Sequence, residues 1–163
     1  MATPTDIERV SYGGPAGSLQ LGSHREVIQG VGATRTLLAK ESGALCLLDR
    51  AAGVVYTLPT PVEGMQFDFL ATVSVTSNAY KTITAAATQF LVGGIMSANL
   101  TVAASGDFFV ANGTTHVAIS ENGTDSGGLV GGWYRLTAIS ATQWAIQGVN
   151  CGSGTNVDPF ATS

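Results

Sequence analysis

The chain has 163 residues, of which 45% are hydrophobic and only 11% charged, with a formal net charge of −4 and a pI of about 4.9. That length supports one domain with its own core, and the composition excludes a disordered chain. The 7 Lys and Arg residues are too few and too dispersed to grip a phosphate backbone, which argues against nucleic acid as a partner.

Residues 1–33 read as an N-terminal arm. Met1 to Val10 shows no basic region followed by an apolar run, so it is not a secretory signal. Ser11-Tyr12-Gly13-Gly14-Pro15-Ala16-Gly17 is a cluster of chain breakers, and Gly22, Gly30 and Gly32 follow it. Ser18 to Leu21 reads as a short strand. The segment carries the charges Asp6, Glu8, Arg9, Arg25 and Glu26 but few alternating apolar positions. Such an arm gains order by lying on a partner. Its candidate contact residues are Ile7, Arg9, Tyr12, Leu19, Leu21 and Arg25.

Residues 34–150 read as strands. Thr36 to Ala39, Ala44 to Leu48 and Val54 to Leu58 are separated by breaker-rich connections. Gly64 to Thr76 is the most regular stretch. Met65, Phe67, Phe69, Ala71, Val73 and Val75 occupy every second position, and Gln66, Asp68, Thr72, Ser74 and Thr76 lie between them. One long strand is expected there, with Asp68 on its wet face. Tyr80 to Ala85, Gln89 to Val92 and Asn99 to Ala103 follow. Asp107 to Val110 and Thr114 to Ile119 flank Asn112-Gly113, a tight-turn signal that predicts a hairpin. Trp133 to Ala138 and Gln143 to Gln147 form a closing hairpin through Ser140-Ala141, and residues 151–163 read as a loose tail.

No window carries the apolar stripe of an amphipathic helix, and no stretch approaches the ~20 apolar residues of a membrane span. About ten short strands with frequent turns predict an all-β fold, a β-sandwich of the jelly-roll type in preference to an immunoglobulin-like one.

Chemistry is sparse. His24 lies in the arm and His116 on an expected hairpin strand, and neither belongs to a hydrolase motif or a zinc-spaced cluster. Asp68 with Glu63 or Asp107 could in principle form a glycosidase pair, but nothing fixes their separation. Asp107, Glu121, Asn122 and Asp125 do not match a calcium loop. Gly30-Val31-Gly32 lacks the strand and helix that cradle phosphate. Trp133, Tyr134 and Trp144 are read as core or interface rather than as a sugar platform. The 2 cysteines allow one pairing, Cys46 with Cys151; a free, buried Cys46 in a reduced compartment is the favoured reading. No enzyme activity, metal or cofactor is expected.

The run Ser42-Gly43, an apolar strand, Ala52-Gly53, Thr57-Leu58-Pro59 and Gly64-Met65-Gln66-Phe67-Asp68-Phe69 resembles small structural proteins of tailed bacteriophages. Trp133-Tyr134-Arg135-Leu136 and Gln143-Trp144 are similar to the closing hairpin of the same group. The resemblance spans about residues 36–150, and its weight lies in the order of the pieces. It implies a head decoration, or cement, protein: a jelly-roll domain, usually a homotrimer, clamped on the outer capsid surface across major capsid protein subunits. Such a protein would be made in the host cytoplasm and reside in the virion. The alternative it implies is a tail or fibre component that binds a host receptor or glycan. The family carries no catalytic residues.

Overall fold

The computed structural model describes residues 25–101 and 105–163. Among these residues twelve strands form two sheets packed face to face. The strands are β1 (Val27–Ile28), β2 (Thr34–Thr36), β3 (Leu45–Leu48), β4 (Val54–Thr57), β5 (Gln66–Ala71), β6 (Tyr80–Ile83), β7 (Phe90–Asn99), β8 (Gly106–Asn112), β9 (Ala118–Glu121), β10 (Trp133–Ala138), β11 (Gln143–Gly152) and β12 (Phe160–Ala161). A seven-stranded sheet has the order β1-β3-β5-β10-β11-β7-β8, and a five-stranded sheet the order β12-β9-β6-β4-β2. The all-β sandwich expected from the sequence is the fold.

The pairing differs from that of a jelly roll. From β1 to β6 the chain alternates between the sheets, so each sheet receives every second strand. Strands reached by crossing over and back run in the same direction. β1-β3, β3-β5, β2-β4 and β4-β6 are therefore parallel, as is β7-β11. A jelly roll is built from antiparallel Greek keys. The remaining pairs are antiparallel, including the β10–β11 hairpin that the sequence marked.

Period-two alternation builds the core. Phe67 and Phe69 point inward from β5 with no exposed surface, as do Tyr56 on β4, Leu136 on β10 and Trp144 on β11. Phe69 stacks on Tyr134 at 5.1 Å and meets the edge of Tyr56 at 5.5 Å. Burying a tyrosine requires a partner for its hydroxyl. Tyr56 donates to Leu47 O at 3.0 Å, Tyr80 donates to Val73 O at 2.7 Å, and the Tyr134 hydroxyl pairs with Thr82 Oγ1 at 2.8 Å. The Tyr56 and Tyr134 bonds tie one sheet to the other.

Several expectations need correction. β5 ends at Ala71, so the long central strand is half the expected length. Val73 to Thr76 bend away to receive the loop that follows β9: Val75 N–H donates to Gly128 O and Val130 N–H to Ser74 Oγ. Asn112-Gly113 does not close a hairpin, because β8 pairs with β7 and β9 with β6 and β12. Asn112 Oδ1 instead accepts from the N–H groups of Thr114 and Thr115, turning the chain from one sheet to the other.

The boundaries at both ends also shift. β1 and buried Ile28 lie within the range read as an arm, yet β1 pairs with β3 and Ile28 joins the core. The expected tail holds the end of β11, and β12 brings Phe160 into the core. Asn156 Nδ2 donates to Ser97 O and Asp107 Oδ2, and Lys81 Nζ donates to Ser163 O. This end of the chain is therefore fastened to the sandwich.

Candidate functional site: the outer face of the seven-stranded sheet

Each strand of the seven-stranded sheet turns alternate residues away from the core. The register aligns several of these outward residues in one row. Leu47 is paired with Leu70, Leu70 with Trp133, Trp133 with Val149, Val149 with Met96 and Met96 with Phe108. The row crosses β3, β5, β10, β11, β7 and β8 and is apolar throughout. Its far half is open to water: Trp133 is 36% exposed, Val149 41%, Met96 43% and Phe108 61%. Val110, two residues beyond Phe108 on the same face, is 57% exposed. Scattered surface apolar residues are ordinary, whereas a contiguous apolar band is a candidate contact surface.

Gly94 gives the band its flat end. A Cβ there would lie 2.4 Å from Phe108 Cζ, so the Phe108 ring rests across the bare backbone of the neighbouring strand. The adjacent row is polar. Asp68 is opposite Arg135, and Arg135 is opposite Gln147. Arg135 Nε donates to Asp68 Oδ1 at 2.7 Å and Nη2 donates to Oδ2 at 2.9 Å. Arg25 Nη1 approaches Asp68 Oδ2 at 2.5 Å, and its other nitrogens donate to Gly43 O and Ala44 O. The Arg135 guanidinium also lies 5.7 Å from the centre of the Trp133 ring, which fixes that ring beside the charge pair.

Asp68 therefore does not face water, as the alternation of β5 suggested. It is on the outer face but is covered by two arginines and is 1% exposed. Burial alone pushes its carboxyl upward; the hydrogen bonds and positive charges of Arg135 and Arg25 outweigh this and hold it below the ordinary carboxylate value.

Of the contact residues expected in the arm, Arg25 lies on this face, bound to Asp68. Ile7, Arg9, Tyr12, Leu19 and Leu21, with His24, lie outside the described residues. His116 is in the connection before β9, stacked on Phe160 at 5.7 Å with Nδ1 accepting from Asn112 N–H. The three aromatics considered as a sugar platform are separated, because Tyr134 and Trp144 point into the core and only Trp133 faces outward. Among the described residues, no three His, Cys, Asp or Glu side chains gather as metal ligands. Cys46 and Cys151 are both free, and burial with the nearby Glu41 pushes the Cys46 thiol up to about 12. No helix among the described residues is long and apolar enough to cross a membrane.

Sequence reading missed Met96, Phe108, Val110 and Val149 as a surface. The signal was present in β7 and β8, which are apolar at positions of both parities, as a strand with two covered faces would be. No family model matches the chain, and no curated protein or solved structure is similar to it.

Proposed function

We propose that this chain is a non-enzymatic structural protein that decorates and stabilises the outer surface of a tailed-phage capsid. The observation that carries the proposal is the aligned apolar band from Trp133 to Phe108, exposed on a rigid sheet. The ordered likeness of residues 36–150 to small phage structural proteins supports it. The action is mechanical: a body that binds across adjacent major capsid protein subunits stabilises their association by its own binding free energy.

The test is reconstitution. Purified protein is added to capsids lacking it, the particles are sedimented, and bound copies are counted. Hundreds of copies per particle and a higher temperature of shell opening are expected. A few to a few dozen copies would move the protein to the tail or fibre, and no co-sedimentation would remove it from the virion surface.

A further inference from the structure

Among the described residues the seven-stranded sheet ends at β8, whose outer edge no strand covers. The β7–β8 ladder is framed by Gly113 N–H donating to Leu91 O at 2.8 Å and Asn99 N–H donating to Ser105 O at 3.1 Å. Antiparallel bonds recur on every second residue. The odd-numbered residues of β8 therefore bond to β7, and the backbone groups of Gly106, Phe108, Val110 and Asn112 face away from it. Asn112 N–H is taken by His116 Nδ1 at 3.3 Å. Among the described residues no strand pairs with this edge.

Soluble proteins defend such an edge with Lys, Pro, a bulge, an inward-pointing charge or a short strand. β8 has no Lys, Pro or bulge, and its one charge, Asp107, shares the inner-face parity of Phe109 and Ala111. It reads Gly-Asp-Phe-Phe-Val-Ala-Asn over 7 residues, and its register with β7 is unbroken. Its single charge, Asp107, accepts from Asn156 Nδ2 at 2.8 Å. An edge of this kind has a defined chemistry: it binds an extended, uncharged strand.

We infer that β8 pairs edge to edge with β8 of a second copy, antiparallel about a two-fold axis at Phe109. In this register Phe108 of one copy and Val110 of the other exchange both backbone hydrogen bonds, and the exchange repeats across the axis. Asp107 then stands opposite Ala111 and not a second Asp107, so a chain of net charge −4 associates without opposing like charges. Each Phe108 ring lies beside Val110 of the other copy, an aromatic and β-branched cross-strand pair. The row that holds Phe108 meets Val110 of the other copy and then its Gly94, Gln147 and Arg135, so the two apolar bands lie side by side across the axis, offset by two residues. Such an isologous contact closes at two copies, in contrast to the trimer that the phage resemblance implies. The inference stands on the edge itself and does not depend on the proposed function.

Sedimentation equilibrium of the full chain at micromolar concentration tests it. The expected mass is twice 16.6 kDa. Val110→Pro removes an outward N–H while sparing the β7 ladder, a position at which an edge strand tolerates proline. Phe108→Lys places a charge on the edge. Both variants should sediment as monomers with an unchanged circular dichroism spectrum. Should Val110→Pro fail to fold, Phe108→Lys alone decides. A wild-type monomer at every concentration, a threefold mass, or variants that still pair would overturn the inference. A chain lacking residues 1–24 should pair as the full chain does. If pairing arose only after that deletion, the chain's own N-terminal segment would be the occupant of the edge, and the inference would fall.

Discussion

Neighbouring side chains of β5 do opposite work. Phe67 fills the core with no exposed surface, so Phe67→Ala should cost about 3–5 kcal/mol in urea unfolding. Asp68→Ala removes a buried charge but frees two arginines that are more than a third exposed and regain water, so a smaller loss of about 1–2 kcal/mol is expected. The reverse change is the sharper test. Arg25→Ala with Arg135→Ala removes both ion pairs and the side-chain stems that cover Asp68, and should destabilise more than Asp68→Ala; an equal or smaller loss would mean that the ion pairs do not hold the site. Glu121 presents the opposite electrostatics. It is 1% exposed at the end of β9, and burial pushes its carboxyl up to about 8 against hydrogen bonds from Asn150 and the Gly128 backbone. Glu121 Oε2 and Asn150 Oδ1 lack partners among the described residues, consistent with a proton on the acid. The folded state therefore holds a proton that the unfolded chain releases at about 4.5, the ordinary glutamate value. Stability from this group is present in acid and falls as pH rises from there to about 8, by an amount on the order of a few kcal/mol. Glu121→Gln should flatten that decline in melting temperature, and an unchanged slope would assign the pH dependence elsewhere.

At the scale of elements, alternation located most strands, and the short Ser140-Ala141 connection located the β10–β11 hairpin, because both signals are local. What was not legible was which strands pair. The crossing of the chain between sheets from β1 to β6 leaves no mark in the spacing of apolar residues, since parallel and antiparallel neighbours alternate alike. Asn112-Gly113 shows the same gap: its turn chemistry is real, but the turn joins two sheets. The two-sided apolar pattern of β7 and β8 marked a second covered face, but the line of Trp133, Val149, Met96 and Phe108 was illegible for a related reason, since these residues are distant in sequence and are aligned only by register. The two ends were misjudged because Val27–Ile28 and Phe160–Ala161 are too short to show a period. Their pairing changes the expected result of truncation. A chain lacking residues 1–24 should fold with a melting temperature within a few degrees of the intact protein. Removing residues 1–33 also takes away Ile28, the Arg25–Asp68 ion pair and the bond from Val55 N–H to Ala33 O, and should lower the melting temperature well beyond that. Equal melting temperatures for the two truncations would show that β1 contributes nothing to the sheet.

For the whole molecule, the two faces of the seven-stranded sheet separate stability from attachment. The inner face carries Phe67, Phe69, Leu136 and Trp144; the outer carries Trp133, Val149 and Met96, which water already reaches. Substituting exposed side chains changes little of what folding buries, and such changes usually stay within about 0.5 kcal/mol. Met96→Lys combined with Val149→Glu should therefore leave the urea midpoint almost unchanged. If the outer band is the capsid contact, the same variant loses it, because two charges would have to be dehydrated on docking. Retention on capsids after sedimentation should then fall at least tenfold. The two substitutions carry opposite signs and leave the net charge at −4, so long-range repulsion from the shell is not the cause of any loss. A variant that folds and is retained in full would place the contact away from this face, and the apolar band would then need a different occupant.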